Sequence, residues 1–232
     1  MPSIVGLTAF RTFLAFLAIA GLFTAWWLYP AENHYSILTC TISYLGSPDT
    51  NRNPQGWRIY QVGMTSLILL MGSLLWERHS QFKGPRSLLG RIATAPLVAA
   101  FLMLLAAVWI PDSRSIVFLG QKATRIHTQL AILAIPIMGL GLTLDTVGRY
   151  LRGVRLQTLW PAFGFAGLVS IGFWKLAEWE NLCRANPALK HWPGDGWHST
   201  PLWEWILFLY LNLHVLWMAY PASHMAGESS RN

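Results

Sequence analysis

Six apolar runs, each about 18 to 20 residues long, recur along this chain, and that recurrence restricts the fold more than any other feature. Hydrocarbon ~30 Å thick takes about that many residues to cross as an α-helix rising ~1.5 Å per residue. The runs at 12–29, 59–76, 92–110, 126–144, 156–174 and 202–220 therefore predict six transmembrane helices. Lipid offers the backbone no hydrogen-bond partner, so the expected fold is all-α, a single polytopic domain over 1–232. Composition agrees, because 53% hydrophobic and 12% charged residues leave too little polar surface for a soluble globule. The first run reads as a retained helix rather than a cleaved signal, being long, ending in Trp26-Trp27 and lacking a small-x-small site.

A formal net charge of +7 raises the question of nucleic acid, but the 17 Lys and Arg stand singly between apolar runs and form no basic, aromatic-interleaved patch. Nucleic-acid binding is excluded on that pattern. Nine of these cations fall on the side of the termini and eight on the other, so number alone does not orient the chain. Density does: Arg78, Lys83, Arg86 and Arg91 crowd the second-to-third connection, and Arg149, Arg152 and Arg155 the fourth-to-fifth. Both termini are expected in the cytoplasm. The opposite side receives seven of the ten acidic residues and ten of the 13 Trp, which predicts a thick outer cap able to rest on the membrane surface or wall a pocket.

The first outer loop is the most informative. Tyr35, Leu38, Ile42 and Leu45 recur at helical spacing while Ser36, Thr39, Cys40 and Ser43 take another face, predicting a short amphipathic helix. Gly46 and Pro48 end it, and 51–55 makes a polar turn before Trp57-Arg58 opens the second span. The run HYSILTCTISYLGSPD, followed by NPQGW and IYQVGM, resembles the first extracytoplasmic loop of a bacterial six-helix membrane family related to the Frag/DRAM-type proteins. The resemblance covers about residues 30–65. It implies a polytopic protein of the bacterial inner membrane with a polar outer face, in a group largely without assigned activity, some of whose eukaryotic relatives remodel lipid anchors. It carries no catalytic residue across.

Charges near lipid are costly, so each is a candidate once packing is weighed. His127 opens the fourth span at the same boundary as His34 and His198. It either hydrogen-bonds a loop carbonyl or joins His34, Ser36, Asp49, Glu178 and His198 in a cluster fit for acid–base work. Lys175 and Glu178 share a helix face and can neutralise each other. Arg58 and Arg125 are the candidates for an anionic headgroup. No HxxxH, HExxH or CxxC spacing marks a metal site, and no cofactor is assigned. Haem between His127 and His214 is disfavoured, since His214 lies about twelve residues, roughly 18 Å, deep in the sixth span. Cys40 and Cys183, the only cysteines, either pair across the outer loops or stay as two thiols. Pro96, Pro136 and Pro161 fall within spans, and glycines 139, 141, 164 and 167 permit close helix approach.

Two functions fit. The first is an outward-facing site that binds a lipid or lipid-linked amphiphile and hydrolyses it or transfers a group, with His34, Ser36, Asp49, His127 and Glu178 as catalytic candidates. The second is a non-enzymatic accessory subunit of a larger membrane complex, using its Trp-rich cap as the contact surface. Membrane lipids or other membrane subunits are the partners these readings imply.

Overall fold

The computed structural model describes residues 4–80, 88–151, 160–191, 196–210 and 213. It is predominantly helical. The elements are α1 (Ile4–Trp27), α2 (Trp57–Ser80), α3 (Leu88–Ile92), α4 (Thr94–Trp109), α5 (Ala123–Tyr150) and α6 (Trp160–Ala185), with a β-hairpin of β1 (Val117–Phe118) and β2 (Gln121–Lys122) between α4 and α5. Among the described residues, four stretches are long and apolar enough to cross a membrane: Leu7–Trp27, Trp57–Glu77, Leu88–Trp109 and Ala123–Gly148. The protein is thus a helical membrane protein. α6 is apolar over its first half and carries Lys175, Glu178, Glu180 and Arg184 on its second. Residues 200–210 continue as helix. Apart from residue 213, the rest of the expected sixth span, with Asn212 and His214, lies outside the described residues, as do 81–87 and 152–159 with Lys83, Arg86, Arg152 and Arg155.

Within the chain expected as one domain, two compact units form: Met1–Asn33 with Ser43–Gly153, and His34–Ile42 with Val154–Asn232. The first unit is an up-and-down bundle. Arg11 near the start of α1 bonds Ser73 near the end of α2, while Gly21 meets Gly63, so α1 and α2 are antiparallel. Gln61 reaches Val108 and His79 reaches Thr94, which sets α2 against α4 in the same sense. Leu97 against Gly141 and His127 against Ala107 complete the series with α5. Glycines bring the backbones together: a Cβ on Gly21 would stand 2.7 Å from the Cα of Gly63, and one on Gly148 2.9 Å from the nitrogen of Gly90.

Proline accounts for the interruption between α3 and α4. Pro96 lies in the first turn of α4, and its ring is incompatible with a continuous helix past the carbonyl four residues back, at Ile92. Pro136 instead stays inside α5.

The amphipathic helix expected from Tyr35 to Leu45 does not form. A turn at 37–39 starts on the Ser36 carbonyl, which accepts from the Thr39 and Cys40 amides, and only Ile42–Gly46 is helical, as a single 3-10 stretch. The physical reason lies in the side chains. Ser36, whose hydroxyl accepts from the Leu38 amide, favours the turn over a helix interior, and His34 adopts a φ of 47°. The hairpin at 117–122 went unforeseen. Its tip places Leu119 at φ 50° and Gly120 at φ 75°, the two positive values that a two-residue type I′ turn requires. For glycine this conformation is free; for a leucine it costs about 1–2 kcal/mol.

In the second unit, α6 is accompanied by 3-10 stretches at Pro187–His191 and Gly196–His198 and by the helical residues 200–210. Trp203 packs on Gly172, where a Cβ would come within 3.1 Å of the indole, and Tyr210 covers Gly164. Cys40, Phe165, Cys183, Ser199 and Trp203 are buried there.

Candidate functional site

Membrane helices leave their last carbonyls without partners, and in this bundle buried side chains supply them. At the end of α4, Gln61 Nε2 donates to the Val108 carbonyl at 3.0 Å, and His127 Nδ1 lies 2.7 Å from the Ala107 carbonyl and 2.9 Å from that of Ile110. Both partners of Nδ1 are acceptors, so that nitrogen carries the proton. At the end of α1, Asn53 Nδ2 donates to the carbonyls of Ala25 at 2.8 Å and Leu45 at 2.9 Å, while its Oδ1 accepts from the Gly56 amide. These polar side chains hold helix ends.

Around them lies a charged cap. Arg52 pairs with Asp112 at 2.6 Å, donates to the Asp112 carbonyl at 2.7 Å and stacks 3.8 Å above the Tyr44 ring. Asp112 also accepts from Ser43 at 3.2 Å and from the Thr124 hydroxyl. Both partners are more than nine-tenths buried, and burial of this kind is tolerable only when every lone pair and proton is matched. Asp49, the expected catalytic or orienting acid, is occupied here. It accepts from the Ser113 hydroxyl at 2.5 Å, the Ser115 hydroxyl at 2.8 Å and the Arg114 amide at 3.0 Å. Partial desolvation works to raise the Asp49 pKa, but these three bonds and the Arg52 charge together bring it below its ordinary 3.8. Neither Asp49 nor His127 has the other among its partners.

Sequence reasoning passed over Arg52, Asn53, Gln61 and Asp112. The one signal available was their rarity: Asp112 interrupts WIPDS directly after an apolar run, and Arg52 stands alone in a loop of small polar residues. Of the headgroup candidates, Arg58 lies 3.8 Å above the Trp57 ring and donates to Gln61 at 3.0 Å, and Arg125 is exposed.

The second unit contains a different cluster. Glu178 Oε2 accepts from Lys175 Nζ at 2.8 Å and lies 3.2 Å from His198 Nε2, and the His198 ring stacks on Trp179 with centroids 5.5 Å apart. Lys175 lies 4.8 Å from the Trp174 ring. The bond from Lys175, then that from His198, holds the Glu178 carboxyl below the usual carboxylate range. His34 is exposed, and its carbonyl is 4.0 Å from the Cys40 thiol. Ser36 is engaged in the turn described above. Cys40 and Cys183 are buried free thiols, not a bridge, and Cys40 is held locally by His34 and Thr39.

Chemically, the Lys175–Glu178–His198 cluster is a set of two donors around one carboxylate, half exposed and walled by indole. It sits where α6 changes from apolar to charged. Among the described residues no three His, Cys, Asp or Glu side chains gather as metal ligands do. No protein-family model, curated protein or solved structure matches the chain.

Proposed function

We propose that this chain is a six-span protein of a bacterial inner membrane, related to the Frag/DRAM-type group, with both termini in the cytoplasm, that binds the headgroup of a lipid or lipid-linked amphiphile through Lys175, Glu178 and His198. The observation that carries the reading is the position of this cluster on α6, one residue beyond Trp174 and directly beside Trp179. Indoles collect at the level of the headgroups, and a cation, a carboxylate and an imidazole at that level match a zwitterionic or anionic head. Binding is the core of the proposal. Hydrolysis or group transfer by His34, Ser36, Asp49, His127 and Glu178 would extend it, with Asp49 and His127 also engaged in holding loops and helix ends.

The test is retention of lipid by protein released from membranes, read by native mass spectrometry. Wild type is expected to keep one lipid class, and Glu178→Gln or His198→Ala to keep it about tenfold less, the effect of losing one charge-assisted hydrogen bond. Wild type that keeps no class above background, or variants that match it, would overturn the proposal. The accessory-subunit reading draws on the exposure of Trp174 and Trp197, at 63% and 60%. Stoichiometric copurification of a second membrane protein, lost on Trp197→Ala, would favour it.

A further inference from the structure

We infer that the β1–β2 hairpin is a membrane-surface anchor, seating its apolar tip at the headgroup–acyl boundary of an anionic leaflet of the bilayer that holds the bundle. The tip is unusual for a water-facing turn. Ile116, Val117, Phe118 and Leu119 are consecutive and all exposed, Leu119 at 84%. Position 119 has a positive φ, where Asn, Asp or Gly suits the turn and a bulky side chain strains it. The backbone here is uncomfortable, and what it gains is a leucine held outward.

The base of the hairpin is basic. The Thr124 amide donates to the Ser113 carbonyl at 2.9 Å and the Ala123 amide to that of Ile116 at 2.8 Å, so the segment with Arg114 runs beside the one with Lys122 and Arg125. All three cations are exposed, and none forms an ion pair among the described residues. The two carboxylates in this region, Asp49 and Asp112, are tied to Ser113, Ser115, Arg114 and Arg52, so the outward field is positive. An apolar tip on a basic base is the pattern that anionic interfaces bind.

Reach selects the leaflet. With two residues per strand at ~3.3 Å each, the tip stays within about 10 Å of its base at the start of α5, in reach of the roughly 5–8 Å headgroup layer of the leaflet there. An opposing membrane lies beyond it. This anchor belongs to the first unit and is independent of the cluster on α6, so either can fail alone.

The test uses the full chain reconstituted in vesicles of phosphatidylcholine, with or without phosphatidylglycerol, and a fluorophore on Leu119→Cys. The fluorophore is expected to be shielded from aqueous iodide, to be quenched by lipid carrying a shallow nitroxide, and to be shielded more in the anionic vesicles. Neutralising Arg114, Lys122 or Arg125 to Gln is expected to lower the preference for phosphatidylglycerol about fivefold per residue. Leu119→Asn, which suits the turn, keeps the chain folded in detergent while removing the gain in Tm that phosphatidylglycerol confers on wild type. A fluorophore as open to iodide as free dye in both vesicles, or one shielded only in native membranes where it cross-links to a protein, would overturn the inference.

Discussion

Arg52 and Asp112 show how single residues stabilise this protein. The pair is buried, so removing one partner leaves the other's charge buried without its counter-ion. Arg52→Ala is expected to lower stability by about 3–5 kcal/mol, whereas the double change Arg52→Met with Asp112→Leu should cost less, measured as thermal unfolding in detergent. Asp49 gives a pH signature. Its folded pKa is below the ordinary 3.8, so its stabilisation is fully present above that value and is lost as the pH falls through the lower folded value. Wild type should therefore lose Tm below about pH 4, modestly because the site is partly open to water, and Asp49→Asn should flatten that part of the curve. None of these pairings could be read from the sequence. Arg52 and Asp112 are 60 residues apart, and the partners of Asn53, Gln61 and His127 are backbone carbonyls, which carry no side-chain signature.

At the scale of elements, the spans were legible because the bilayer imposes a length that few other environments demand. Four of the expected runs coincide with helices that can cross a membrane, although each helix starts two to five residues earlier than its run. Arg11 illustrates the difference: it flanked the expected first span at 12–29 and lies inside Leu7–Trp27. Short elements were illegible for the opposite reason. A five-residue 3-10 stretch and a two-residue hairpin are set by individual turns, so the helical spacing of Tyr35, Leu38, Ile42 and Leu45 misled where Ser36 directed the local bonds. Close glycine contacts yield a direct prediction. Gly63→Leu should separate α1 from α2 and destabilise by about 1–3 kcal/mol or more, whereas Gly72→Leu, with open space around it, should be nearly neutral; thermal unfolding of the two variants compares them.

For the whole molecule, threading decides which loops share a side of the membrane. The six-span proposal sets four spans between Asn33 and Asn186, and so predicts that cysteines introduced at both positions react from outside intact cells with a membrane-impermeant maleimide, and that one at Ser87 reacts only after permeabilisation. The native Cys40 and Cys183 are buried, so background labelling should be low. Labelling of positions 33 and 186 from opposite sides would remove the six-span reading. The candidate cluster was partly legible at this scale: Glu178, Lys175 and His198 stood out as ionisable groups at a helix end. That Asp49 accepts from Ser113, Ser115 and Arg114, and that His127 meets the carbonyls of Ala107 and Ile110, was hidden in the three-dimensional neighbours.

The grip of Arg11 on α2 sets an order of biogenesis. Its guanidinium bonds Glu77, the Ser73 hydroxyl at 3.1 Å and the Ser73 carbonyl at 2.9 Å, all on the next span. Until α2 emerges from the ribosome, Arg11 lacks these acceptors, and its guanidinium must reach interfacial water instead. The nascent pair is therefore the smallest unit in which Arg11 has the partners it keeps in the folded bundle. Truncating the chain before Ser73 should leave the first segment extractable by alkaline carbonate.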